Sequence, residues 1–161
     1  MAVDMFFKIG DIKGESGDAK HKSEIDVLSW SWGASNSGTT HTGSGGGAGK
    51  VNVQDISFTK YVDSSSNALL QAVCIGKHYG DAILTVRKAG GSAVEYVVIK
   101  LEEVLVTAVS TGGTGHDERL TENVTLNFAK FMYKYQPQDT KGAKLGGTKD
   151  FGYDIKANKP M

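Results

Sequence analysis

Residues 29–61 read SWSWGASNSGTTHTGSGGGAGKVNVQDISFTKY. Two strand-like segments flank an arm that holds seven glycines: Gly33, Gly38, Gly43, Gly45, Gly46, Gly47 and Gly49. In the first segment Trp30 and Trp32 bracket Ser31, so period-two geometry sends both indoles to one face and Ser29 and Ser31 to the other. The indoles serve either as core or as an aromatic platform for a sugar or base. If they are core, the serines lie on a small, polar, outward sheet surface. In the second segment Val51 and Val53 face one way while Ile56 and Phe58 face the other. That calls for a bend at Gln54-Asp55, which lets one strand serve two sheets. The arm between them has almost no side chain to bury, so it is expected to gain order only against a partner subunit.

Working outward, Val3, Met5, Phe7 and Ile9 alternate with Asp4 and Lys8 as a half-buried strand. Residues 11–23 are polar and turn-rich, and the phase change at Val27-Leu28 suggests a bulge. Asp63 to Ser66 offers N-caps ahead of Leu69, Leu70, Val73 and Cys74, with Gly76 as a stop, which makes a helix with Cys74 on its buried stripe. Residues 82–88 and 94–109 read as strands joined by a turn at Ala89-Gly90-Gly91-Ser92, the second breaking near Glu102-Glu103. A glycine loop follows at 110–115, and residues 120–135 reverse their apolar phase beyond Ala129 before Pro137 ends the run. Phe151, Tyr153 and Ile155 alternate as an edge strand. Strands dominate, so antiparallel hairpins curling into a barrel or sandwich with one helix are expected.

The 161 residues suit one domain, and 21 glycines suit tight turns better than helices. With 18 basic and 18 acidic side chains, formal charge is zero, which argues against nucleic acid or an anionic membrane as partner. Lysines at 141, 144, 149, 156 and 159 are interleaved with Asp139, Asp150 and Asp154 and read as a solvated face. Cys74 is the sole cysteine, which excludes an internal disulfide and a thiolate zinc cluster. The N-terminus has neither a signal-peptide core nor a membrane span, so synthesis and folding in the cytosol are expected.

Catalytic motifs fail in detail. GSGGGAGK at 43–50 has Ser44 in place of a required glycine, Val51 after Lys50, and a strand instead of a helix beyond it. His21, His41, His78 and His116 lack metal-ligand spacing and read as surface or loop histidines. No serine sits in a nucleophile elbow, and Asp26, Asp55, Glu102, Glu103 and Glu122 show no spacing that selects a catalytic pair. No catalytic residue, metal or cofactor is expected.

AVDMFFKIGDIKGES (2–16), EIDVLSWSWG (24–33), GGGAGKVNVQDISFTKYVD (45–63), GKHY (76–79), LTVRKAGG (84–91), VSTGGTG (109–115) and RLTENVTLNFAKF (119–131) together closely resemble the Hcp (haemolysin-coregulated protein) family of bacterial type VI secretion systems. The resemblance runs from Ala2 to about Ile155. It implies a mainly β fold, a curled two-sheet antiparallel β-barrel with one flanking α-helix, as a single domain over 1–161 with a glycine-rich extended loop at 33–50. It also implies a non-enzymatic subunit that forms homo-hexameric rings. The rings stack into a tube capped by the VgrG spike, wrapped by a contractile sheath and expelled without a cleaved signal peptide, carrying small effectors in the lumen. Some members carry an appended toxin domain, which is not expected here with the sequence ending at Met161.

Within that frame Ser29 and Ser31 are expected to face lumen and cargo. Gly33, Thr39, Thr40, His41, Thr42, Gly45, Gly46 and Gly47 of the arm, with Gly90, Gly91, Gly112 and Gly113 at loop tips, are expected to serve ring assembly or stacking. The competing class is a monomeric small-ligand-binding β-barrel with aromatic residues around a closed pocket.

Overall fold

The structure, a computed structural model, describes residues 3–41, 43, 47, 49–88 and 93–161. Its strands are β1 (Val3–Ile9), β2 (Ile25–Asp26), β3 (Ser29–Ser31), β4 (Ala34–Ser35), β5 (Asn52–Val53), β6 (Ile56–Tyr61), β7 (His78–Lys88), β8 (Glu95–Gly112), β9 (Thr121–Asn127), β10 (Lys130–Tyr135), β11 (Lys149–Asp154) and β12 (Lys159–Pro160), with helix α1 (Ser66–Ile75) between β6 and β7. The main sheet is antiparallel and runs β12-β11-β10-β8-β7-β1-β2, with a branch β8-β9-β6-β3. β4 and β5 form a separate ribbon.

Three irregularities change which strands lie side by side, and each coincides with a break in apolar phase. At Val27-Leu28 the chain changes partner: the Val27 N–H donates to the Met5 carbonyl (2.9 Å) and the Leu28 N–H to the Thr59 carbonyl (2.8 Å). The expected bulge is therefore a switch from β1 to β6, with Val27 buried and Leu28 40% exposed. Glu103 takes a left-handed conformation (φ 54°) inside β8, whose first half lies between β7 and β10 and whose second half pairs with β9. The third break falls at Phe128-Ala129, where the Ala129 N–H donates to the Glu102 carbonyl (3.0 Å) between β9 and β10.

The core gathers Phe7, Ile9, Ile25, Ile56, Leu69, Leu84, Ile99, Leu101, Val104 and Leu126, all fully buried. Trp30 and Trp32 pack against it half-buried, so the indoles are core residues. Helix α1 lies against β8 and buries Leu69 and Ala72, with Leu69 alone contributing about 2 kcal/mol. Its start is held by Asp63, whose Oδ1 accepts the Ser65 N–H (2.8 Å) while its own N–H donates to Ser66 Oγ (3.0 Å). Gly76 (φ 64°) ends the helix in the left-handed conformation expected of it.

The inward stripe differs from the one read in the sequence. Ser65, Leu69 and Ala72 face in, whereas Leu70 is 51% exposed and Cys74 is exposed. The helix docks along an i, i+4, i+7 line, and one step of about 100° turns the next residue away. His21, read as a surface or loop histidine, lies in the turn-rich loop that precedes β2 and is buried there.

Candidate functional site

The alternation that buries Trp30, Phe58 and Val124 turns their neighbours outward as a continuous surface. Register places Ser29, Thr59, Asn123 and Ser110 in one row across β3, β6, β9 and β8, and Ser31, Ser57, Thr125 and Ala108 in the next. Both rows consist of small side chains without charge. Thr59 Oγ1 donates to Asn123 Oδ1 (2.6 Å), and the Ser57 and Thr125 hydroxyls lie 3.1 Å apart. Ser29, Ser31, Ser57, Thr59 and Asn123 line a shallow depression of about 170 Å³. At one border Asn127 Nδ2 donates to Asp55 Oδ1 (2.8 Å). At the other the Arg119 guanidinium stacks over the Tyr61 ring at 3.8 Å.

Ser29 and Ser31 are both exposed on this face. The sequence reading named only these two. Ser57, Thr59, Asn123, Thr125 and Ser110 belong with them, and the alternation Ile56-Ser57-Phe58-Thr59 and Val124-Thr125-Leu126 already carried that signal. Which strands lie side by side could not be read locally.

The arm departs from the expectation of a segment ordered only on assembly, because its described part makes its own ladder. β4 pairs with β5, Asn36 Nδ2 donates to the Gly49 carbonyl (2.7 Å), the Gly49 N–H to the Ser37 carbonyl (3.1 Å) and the Thr39 N–H to the Gly47 carbonyl (2.9 Å). Its root is pinned where Trp32 Nε1 donates to the Gln54 carbonyl (2.9 Å) and the Gln54 N–H to that of Gly33 (2.9 Å). Thr39, Thr40 and His41 are exposed, and Gly33 and Gly47 half-buried. Beside the root lies a groove of about 380 Å³ lined by Val51, Val53, Phe131, Phe151 and Tyr153 among others. Gly112 closes β8 and Gly113 follows it, both exposed. Thr42, Gly45, Gly46, Gly90 and Gly91 lie outside the described residues.

The carboxylates weighed for catalysis are dispersed. Glu122 is buried in an ion pair with Lys60, which also meets Asp63 Oδ1 (3.0 Å) and donates to Ser66 Oγ (3.2 Å). Asp55 engages Asn127, and Glu102 lies 3.8 Å from Lys100. Among the described residues no group of three or more His, Cys, Asp or Glu side chains could hold a metal, and no helix is long and apolar enough to cross a membrane. The interior that a ligand barrel would leave open is filled by Phe7, Phe58, Leu101 and Leu126.

The family model "Type VI secretion system effector, Hcp" matches residues 6–135. The chain is 63% identical over 159 residues to Protein hcp1 of Pseudomonas aeruginosa, covering 98% of each. It is similar to the crystal structure of Hcp1 from Salmonella typhimurium, with a TM-score of 0.83 and 40% identity over the full length of both. A solved type six secretion system protein matches with a TM-score of 0.93 and 30% identity, over 99% of this chain and 100% of that one. The chain therefore belongs to the Hcp family, the structural, non-enzymatic tube proteins of type VI secretion systems.

Proposed function

We propose that the chain is a single domain whose main sheet curls into a β-barrel, and that six copies close into a ring with the hydroxyl rows of β3, β6, β9 and β8 turned to the channel. Rings stack into the tube, VgrG caps it, the contractile sheath surrounds it, and the assembly leaves the cytoplasm without a cleaved signal. The barrel reading is supported by the Val27 and Leu28 hydrogen bonds, which carry the chain from β1 to β6. A ring needs two different faces of one subunit to meet, and zero net charge permits that approach. The arm, with Thr39, Thr40, His41 and the glycines around them, and the loop at Gly112-Gly113 serve assembly or stacking, as do Gly90 and Gly91.

One observation carries this reading: two charge-free rows of small side chains, all polar except Ala108, span four strands directly opposite the core face. Such a wall keeps a channel wide and offers many weak hydrogen bonds, so a passenger protein is held without being trapped. Ser31→Trp tests it. Rings are expected to persist by native mass spectrometry while effector retention falls roughly tenfold, equivalent to about 1.4 kcal/mol. Loss of the ring itself would place Ser31 in a structural contact and remove the lumen assignment.

A further inference from the structure

Residues 13–24 form a strap over the face of β1, β7 and β8 that points away from the core. Beneath it Phe6, Thr85 and Arg87 are buried, which explains consecutive buried residues at Phe6-Phe7 and from Leu84 to Arg87. The strap folds on itself through Gly14 N–H to the Ser23 carbonyl (2.8 Å), Ser16 N–H to that of Glu24 (3.0 Å) and Ser23 N–H to that of Ser16 (2.8 Å). A Cβ at Gly14 would stand 2.4 Å from the Glu24 carbonyl oxygen, so only glycine fits that turn.

Two side-chain contacts fasten the strap to the sheet. At one, Arg87 of β7 donates to Asp18 of the strap and to Asp4 of β1 (3.1 Å). At the other, the His21 ring stacks on Phe6 (centroids 4.4 Å apart, planes 10° apart), with Nδ1 2.9 Å from Glu24 Oε2 and Nε2 2.7 Å from Glu95 Oε1. A carboxylate only accepts hydrogen bonds, and a neutral imidazole has one N–H and one lone pair. Both contacts are hydrogen bonds only when both ring nitrogens carry protons. Without one proton, a lone pair faces a carboxylate in a largely buried site.

We propose that His21 is a proton-operated latch, fastening the strap to the first residue of β8 while its ring holds two protons and releasing that end when one leaves. Glu95 is the contact that opens, because its side chain is 38% exposed and can turn to water, whereas Glu24 is 16% exposed and belongs to the strap itself. Other charged groups lie near the ring. Asp18 Oδ1 accepts the His21 backbone N–H (3.2 Å), Arg87 stands over the Phe6 ring with Asp4 beside it, and Lys20 and Lys144 line the same groove as Glu95. The hydrogen bond from Arg87 holds the Asp18 carboxyl well below the usual carboxylate range. That anchor is therefore present above the ordinary carboxylate range and lost only in strong acid, and it serves as an internal control across neutral pH.

Hydrogen exchange of the full chain, corrected for intrinsic rates, tests the latch. Strap amides are expected to exchange roughly ten- to hundredfold faster at the more alkaline of two pH values, where one ring nitrogen lacks its proton, than at the more acidic one, where both carry protons. Glu95→Gln should abolish the difference while keeping protection, because the introduced amide donates to the unprotonated ring nitrogen. His21→Phe should keep the stack on Phe6 and lose both the protection and its pH response. Equal wild-type protection at the two pH values, or a full pH response in Glu95→Gln, would overturn the latch. The readout lies within one subunit, so its failure would leave the ring assignment standing.

Discussion

Lys60 is fully buried, and so is its partner Glu122, with side-chain exposures of 0% and 3%. A lone ammonium in that position would cost several kcal/mol of desolvation, which Glu122, Asp63 and Ser66 offset together. The cluster joins β6, β9 and the start of α1, so it fixes where the helix begins as well as how two strands align. Lys60→Met leaves Glu122 buried without its cation and is expected to cost about 3–5 kcal/mol. Adding Glu122→Leu should recover most of that loss. Denaturant midpoints across the double-mutant cycle measure both, and equal, additive losses would mean the two charges act independently.

At the scale of elements, Glu103 decides the course of the longest strand. Its left-handed backbone lets β8 leave the β7–β10 neighbourhood and take up β9, so two sheet regions share one strand. A side chain with a Cβ holds that conformation at about 1–2 kcal/mol, and a β-branched one resists it more. Glu103→Gly is therefore expected to unfold at a temperature equal to or above wild type, and Glu103→Val several degrees below it. A valine variant as stable as wild type would show that the kink lies elsewhere. The paired acidic residues at 102–103 marked the break in the sequence, but the backbone conformation there follows from the strands on either side.

Across the whole molecule, the described sheet has a core-facing side, an outer region covered by residues 13–24 and the exposed rows of β3, β6, β9 and β8. The arm carries its own ladder and an exposed outer side, and the aromatic groove lies at its root. Shortening residues 38–47 removes contact surface and little core, so the subunit fold is expected to survive by circular dichroism. Ring assembly or ring-to-ring stacking should weaken, visible as fewer or shorter stacks by electron microscopy. Stacks of wild-type number and length would remove the arm from assembly.

Strand content, the single helix, the bends at Gln54-Asp55 and Ala129, and the outward serines at 29 and 31 were legible because each depends on a local period that a few residues set. Other features depended on which strands become neighbours. The rows that join Ser29 to Thr59, Asn123 and Ser110, the pairing of Lys60 with Glu122, and the burial of His21 between Glu24 and Glu95 each unite residues far apart in the chain. Residues 11–23 read as polar and turn-rich because composition reports a side chain's preference for water, whereas its burial is set by what folds over it. The sequence by itself determined the alternating faces and the family. Tertiary structure decided the partners, since pairing between strands far apart in the sequence is a property of the folded chain and not of any stretch of it.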